Sequence, residues 1–386
     1  MRILLVSTQD YIHHPVPSRH HYIFEELAKK HEVHVPHFHV SDGRARETRL
    51  IVHEATKINI KNPAPHYFLN SPYHFRVIDE IIDKEKIEIV VASHILAGYA
   101  AVKAGKKYSI PVIFDLKDWY PDSAAIYYDS KIFKRVVYNS VLKILLKNLY
   151  LSDVITTVSP SLAKVLKSYG FTSVLITNGV DTEVFRPYKK SVGIKKLGLM
   201  GDEFVIGYVG SLENWLDFES VLKGLRLLVS ENLSVRLAII GRQLFTDYEE
   251  KMFKTIQTLG IGDYVKFYGF VPYSELPQYI AGMDVCLIPF KISPVSEVAL
   301  PNKFFEYTAC GKNILSTPLP DLIKINPGNI LFYSNYNEFV DKIRLLYDRT
   351  GISHSRKLTR KLRLENYDWK RKAKDFEDLM NKLTNH

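Results

Sequence analysis

The stretch from Asp284 to Thr317 constrains the fold of this 386-residue chain more than any other. It reads as a short apolar run (Asp284 to Phe290), a loop, a segment that Pro301 opens and Gly311 closes, and a second apolar run (Asn313 to Thr317). The two runs are too short for helices, while proline at the first helical position and glycine just past the end bracket a helix between them. A strand feeding a helix start aims unpaired backbone N–H groups and the positive end of the helix dipole into one crevice, which suits an anion. Lys303 in the first turn adds a full positive charge, and Glu306, one turn on, can accept hydrogen bonds from a neighbouring sugar's hydroxyls. A phosphate beside a ribose satisfies both.

The segment PNKFFEYTACGKNIL, beginning at Pro301, resembles the donor-site helix of family 4 glycosyltransferases. That resemblance implies the GT-B fold: two Rossmann-like, doubly wound α/β domains facing a cleft, with a C-terminal helix crossing back to the first. In the family, the second glutamate of a Glu-x7-Glu motif binds the ribose of a nucleotide sugar, and Glu306 takes that position. The first glutamate departs from the rule, because eight residues separate Glu297 from Glu306 and Val298 occupies the strict spacing. The segment is nearer to a subgroup with Pro-x-Lys ahead of the Glu-Tyr pair.

The length exceeds the usual size of one hydrophobic core, so two domains are expected. A hydrophobic fraction of 46% and a charged fraction of 24% are those of an ordinary globular protein. Two cysteines make no disulfide framework; Cys286 falls in an apolar strand and Cys310 in a helix, both read as core packing in a reducing cytosol. The apolar run of MRILLVST is only a strand's length, so no signal peptide is expected. The apolar region Ile87 to Val102 is broken by Glu88, Ser93 and His94 and is too short to span a bilayer. The expectation is a cytoplasmic protein, soluble or peripheral on the inner face of the cell membrane. The net charge of +10 attracts phosphates, nucleic acid or anionic lipid. With no RNA-binding signature and no zinc-finger spacing, nucleic acid is not expected as a partner.

Strands are expected at Ile3 to Val6, Glu32 to Val35, Ile87 to Val91, Val112 to Asp115 and Val154 to Val158, alternating with helical segments as in a parallel sheet covered on both faces. The helix Ser18 to Lys30, which Ser18 can cap, follows a loop carrying His13 and His14 at the carboxyl end of the first strand, where open α/β sheets bind ligands. Adjacent histidines with no carboxylate or cysteine at ligand spacing read as a substrate-facing or solvated pair, so no metal is expected. Asp115 and Asp118 lie just past a strand end; Asp115 reads equally as a turn cap or an acceptor-side group. Asp118 matches the place where relatives of the resembled family carry an acidic residue or histidine facing the transferred sugar. Lys131 to Leu151 is a helix with two open readings: an interior helix rimmed by lysines, or a surface helix that dips into anionic lipid, as resembling enzymes with lipid-linked acceptors do.

Thr156 to Phe185 also follows the family pattern, with Asn178, Gly179, Val180, Asp181 and Phe185 read as a structural boundary. Arg186 to Gly201, rich in Lys and Gly, reads as a linker. The expected domains are 1–186 for the acceptor, 187–365 for the donor, and 366–386 as the returning helix with Trp369 at its bend. Beyond the linker, Gly210 and Gly241 end strands where backbone can approach a ligand. Relatives carry an arginine after the glycine matching Gly210, but this chain has Ser211. The resemblance therefore shifts the donor diphosphate onto Lys303, the helix start at Asn302 and Arg242, and keeps Gly210, Ser211 and Gly241 as donor-side residues. It gives the ribose to Glu306 and places the base against Phe270 and Val271, where an aromatic at a strand end reads equally as core. The basic stretch from Ser355 to Leu383 reads as a charged, mostly solvated helix.

The function implied is a retaining, metal-independent hexosyltransferase, with a nucleotide-diphosphate sugar as co-substrate, no cofactor, and a glycan or lipid-linked acceptor. Lys303 would stabilise the leaving diphosphate, Asp118 would orient the acceptor, Glu297 would hold the sugar's hydroxyls, and cleft closure would exclude water. Two alternatives share the fold: a sugar-nucleotide epimerase, and a non-catalytic partner subunit.

Overall fold

The computed structural model describes residues 1–41, 43–244, 246–350 and 362–384. Two compact units divide it: Met1–Gly179 with Trp369–His386, and Val180–Asp368.

Unit 1 holds seven parallel strands: β1 (Arg2–Val6), β2 (Glu32–His37), β3 (Ile51–Glu54), β4 (Ile89–Ala92), β5 (Val112–Leu116), β6 (Val154–Thr157) and β7 (Val174–Leu175). Their order, β3-β2-β1-β4-β5-β6-β7, reverses between β1 and β4. The central strands are almost wholly apolar because helices cover both of their faces; the exceptions are Arg2 at the start of β1 and Asp115, which lies within β5 rather than just past its end. β3 was not expected from the sequence: it is an edge strand, largely exposed, and its Ile-Val-His-Glu lacks the continuous apolar run that marks a buried strand. The C-terminal helix Trp369–Thr384 lies on the helix Arg19–Leu27, with Trp369 stacked on Tyr22 at 5.1 Å and Phe376 beside Phe24. Of the basic stretch from Ser355, residues 355–361 lie outside the described residues.

Unit 2 holds β8 (Phe204–Val209), β9 (Val235–Ile240), β10 (Val265–Gly269), β11 (Val285–Ile288), β12 (Asn313–Ser316) and β13 (Ile330–Phe332) in the order β10-β9-β8-β11-β12-β13. This is the doubly wound order, with its reversal between β8 and β11, where such sheets bind ligands. Cys286 and Cys310 are buried and free, as the core reading requires.

The expected linker is a folded part of unit 2. Lys190–Leu197 is a helix, and a Cβ on Gly193 would lie 1.8 Å from the Gly282 amide nitrogen. Its glycine serves close backbone packing rather than flexibility, which composition alone does not distinguish.

Candidate active site

From the reversal point of unit 2 out to the sheet edge, three neighbouring strand ends turn on glycines with positive φ. Gly210 (φ +143°) follows β8, Gly241 (φ +134°) follows β9, and Gly269 (φ +66°) ends β10. A Cβ on Gly241 would sit 1.9 Å from the Gly210 carbonyl oxygen, and one on Gly210 would sit 2.9 Å from Lys303 Nζ. Only glycine lets these backbones and the amine crowd together.

The longer of the two helices between β11 and β12 runs Asn302–Ala309, with Pro301 as its N-cap residue rather than its first helical one. Phe304, Phe305 and Tyr307 are buried and anchor it, and the Tyr307 hydroxyl accepts a bond from the Val209 amide (2.9 Å). Its first amides have no intrahelical partner. Lys303 Nζ donates to Tyr208 Oη (3.0 Å), which in turn donates to the Ser211 carbonyl (2.7 Å); the amine also faces the Tyr208 and Phe290 rings at 4.2 and 5.4 Å. Desolvation lowers the Lys303 pKa, with Glu306 opposing. Glu306, 9% exposed, accepts from Tyr273 Oη (3.2 Å), and burial pushes its carboxyl up to about 7 against the pull of Tyr273 and Lys303. Asn302 Oδ1, sealed from solvent, has no hydrogen-bond partner. An amine and a carboxyl, each hydrogen-bonded to one tyrosine hydroxyl, beside an unmatched amide oxygen make a place that a polar, anionic ligand would complete.

Other expected donor residues stand apart. Arg242 is exposed and packs its guanidinium on Gly269, in an open groove with Glu249, Glu250 and Phe253. Among the described residues, no hydrogen bond or ion pair joins it to Lys303 or Glu306. Phe270 is 55% exposed, whereas the Val271 side chain belongs to the core, leaving Val271 only its backbone to offer. Glu297 is exposed at the end of a one-turn helix, Pro294–Glu297, where the sequence reading expected plain loop; Ser293 caps that turn.

In unit 1, Asp115 is completely buried and saturated. It accepts from Arg19 Nε (3.0 Å), Thr156 Oγ1 (2.7 Å) and His20 Nε2 (3.0 Å). Burial opposes its ionisation, but Arg19 and His20 overcome that and hold it well below the usual carboxylate range. Arg19 also donates to the Thr177 carbonyl (2.8 Å), so this carboxylate ties strands and helix together. The acceptor-side reading of Asp115 is thereby corrected: the carboxylate has no solvent exposure and faces Arg19, His20 and Thr156. Asp118, two residues beyond β5, does reach solvent. His13 and His14 do not act as a pair. His14 Nδ1 bonds the Val16 carbonyl (2.8 Å), whereas His13 Nδ1 lies 3.1 Å from His37 Nε2 and 3.6 Å from Asp10 Oδ1.

Sequence reasoning missed Tyr208 and Tyr273, which position the amine and the carboxyl, and Arg19, His20, Asp10 and His37. All but Asp10 act across gaps in sequence that carry no local motif; Asp10 stands three residues before His13, a carboxylate at close spacing that the reading of the histidine pair passed over.

Residues 20–184 match Glycosyltransferase Family 4, and residues 203–349 match Glycosyl transferases group 1. Each half of the chain thus matches a glycosyltransferase domain. The matches place a domain of that superfamily on each unit. Over 162 residues the chain is 26% identical to D-inositol 3-phosphate glycosyltransferase of Thermobifida fusca, covering 40% of this chain and 36% of that one. It is 25% identical over 169 residues to the putative teichuronic acid biosynthesis glycosyltransferase TuaH of Bacillus subtilis, covering 44% and 40%. The match thus spans well under half the length of these curated relatives. Among solved structures, the fold superposes on sucrose-phosphate synthase of Thermosynechococcus elongatus with a TM-score of 0.79 at 17% identity, covering 99% of this chain and 98% of that one. Anabaena Alr3699/HepE, solved in complex with UDP and glucose, gives 0.75 at 16% identity, with 99% of each chain covered. The fold is accordingly GT-B.

Proposed function

We propose that this glycosyltransferase moves a sugar from a nucleoside-diphosphate sugar to an acceptor hydroxyl with retention of anomeric configuration. The observation that carries the reading is the Lys303 amine, held at the head of the Asn302–Ala309 helix within one turn of an under-bonded Glu306. When the anomeric C–O bond to the diphosphate breaks, negative charge grows on the leaving oxygen, and a fixed cation with free helix amides stabilises it. The Glu306 carboxyl accepts from the ribose hydroxyls. On retention, the acceptor oxygen bonds the anomeric carbon on the face the diphosphate leaves, and its proton passes to the departing phosphate oxygen. That route needs no strong side-chain base, so Asp118 orients the acceptor and Glu297 holds the sugar. The complex of the Anabaena neighbour with UDP and glucose supports a donor of this class.

A glycan or lipid-linked acceptor fits a second feature. The first half of the helix Lys131–Leu151 exposes Ile132 (76%), Phe133 (62%) and Val136 (55%) beside Lys131, Lys134 and Arg135. Such a surface suits peripheral docking on an anionic membrane, whereas no described helix is long and apolar enough to cross one. Flotation with anionic liposomes tests this: equal partitioning after Ile132, Phe133 and the three cations are replaced by serine sinks it.

A thermal-shift screen with UDP-, GDP- and ADP-sugars tests the donor reading, because a ligand of the folded state raises Tm. One nucleotide series should stabilise the protein, and Lys303→Met should cancel the gain; no shift with any of them would refute the assignment.

A further inference from the structure

We propose that Asp10, His13 and His37 form a binding site for a divalent first-row metal ion of the zinc class in unit 1. Asp10 and His13 lie in the loop after β1, and His37 closes β2; among the described residues this is the one such convergence of three ligand-bearing side chains. The ligand atoms are Asp10 Oδ1, His13 Nδ1 and His37 Nε2, separated by 3.3 Å (Asp10 to His37), 3.6 Å (Asp10 to His13) and 3.1 Å (His13 to His37). A tetrahedral zinc ion with bonds of about 2.0–2.2 Å to nitrogen and oxygen sets its ligands roughly 3.3–3.6 Å apart. Three protein atoms therefore already stand near the edge lengths of one coordination tetrahedron.

The outer contacts fit the same reading. Glu54 Oε2 lies 3.1 Å from His37 Nδ1, the carboxylate–histidine arrangement that leaves Nε2 with its lone pair for the metal. Asp10 is fully buried and its carboxylate accepts four backbone N–H bonds, from Ile12 and His13 on Oδ1 and from Val40 and Ser41 on Oδ2. Four donors fix its position and keep it ionised. The His39 ring stacks on His13 at 4.6 Å and sets the plane of that imidazole. Two imidazoles and one carboxylate suit zinc and its neighbours rather than calcium or magnesium, which take oxygen. Three protein ligands leave a fourth coordination position for water or another oxygen ligand, on the side where His13 reaches solvent.

The same distances have one metal-free explanation: a protonated His37 bridging Glu54 and Asp10. Zinc titration of the chelator-stripped full chain, read by calorimetry and by the visible absorption of a cobalt-substituted sample, separates the two. The expected result is one equivalent of Zn²⁺ per chain with a tetrahedral cobalt spectrum. Glu54→Gln should weaken binding by about 10–100-fold, and His37→Gln should abolish the stoichiometric site. Absence of stoichiometric uptake, or uptake that His37→Gln leaves unchanged, overturns the proposal. Should circular dichroism show that His37→Gln does not fold, His13→Gln on its partly exposed loop decides: loss of the site supports the assignment, and unaltered binding refutes it.

Discussion

Asp115 and the Lys303–Glu306 pair sit near the strand order reversals of two similar sheets, yet their chemistry is opposite. In unit 1 the carboxylate is closed off by Arg19, His20 and Thr156 and stays ionised. In unit 2 the carboxyl has one tyrosine hydroxyl, the amine another, and burial pushes both toward neutrality. A saturated polar cluster holds a fold, whereas an under-bonded one pays its desolvation cost until a ligand completes it. The same architecture thus carries a clamp at one reversal and a receptor at the other.

Asp115→Asn should break the clamp first. Removing one member of a buried ion pair leaves Arg19 uncompensated and costs about 3–5 kcal/mol. Urea unfolding measures this, and a loss below about 1 kcal/mol would erase the distinction between the two regions. Lys303→Met should do the reverse. Donor-dependent turnover should drop by about 10²–10³, while the unfolding midpoint holds or rises because a partly desolvated charge is gone. A large loss of stability in that variant would make Lys303 a structural cation instead.

The smallest effect is a pH slope. The Glu306 pKa is raised from 4.5 to about 7, so the folded state holds a proton that the unfolded state gives up. Its contribution to stability is fully present below pH 4.5 and is lost as pH rises through 7, an effect on the order of 3 kcal/mol. Glu306→Gln should flatten that fall in a stability–pH profile. Lys303 works in the other direction above neutrality, because its lowered pKa makes stability rise toward pH 10.5. A wild-type profile with the same slope as Glu306→Gln would mean that Glu306 is well solvated.

Much of this was readable from local pattern. Proline and glycine marked the helix after β11 to within a residue, and the helix Lys131–Leu151 and most central strands fell where apolar runs placed them. Lys303 and Glu306 were legible because their spacing of one turn is itself a local fact. β3 was not, because an exposed edge strand needs no apolar run, and the helix Lys190–Leu197 was hidden by a Lys- and Gly-rich composition that also describes linkers.

By itself the sequence determined the parallel sheet of the first half, the glycine-ended strands and the helix that starts beside them, since these follow from periodicity and from backbone preferences acting over a few residues, whereas the second parallel sheet was implied by the family resemblance. Only the tertiary structure decided which polar groups are satisfied. Asp115 met Arg19 across 96 positions, Lys303 met Tyr208 across 95, and Asp10 and His13 met His37 across the gap from the β1 loop to the end of β2. Hydrogen bonds and desolvation act through space, and no stretch of chain encodes how near its distant partners will come.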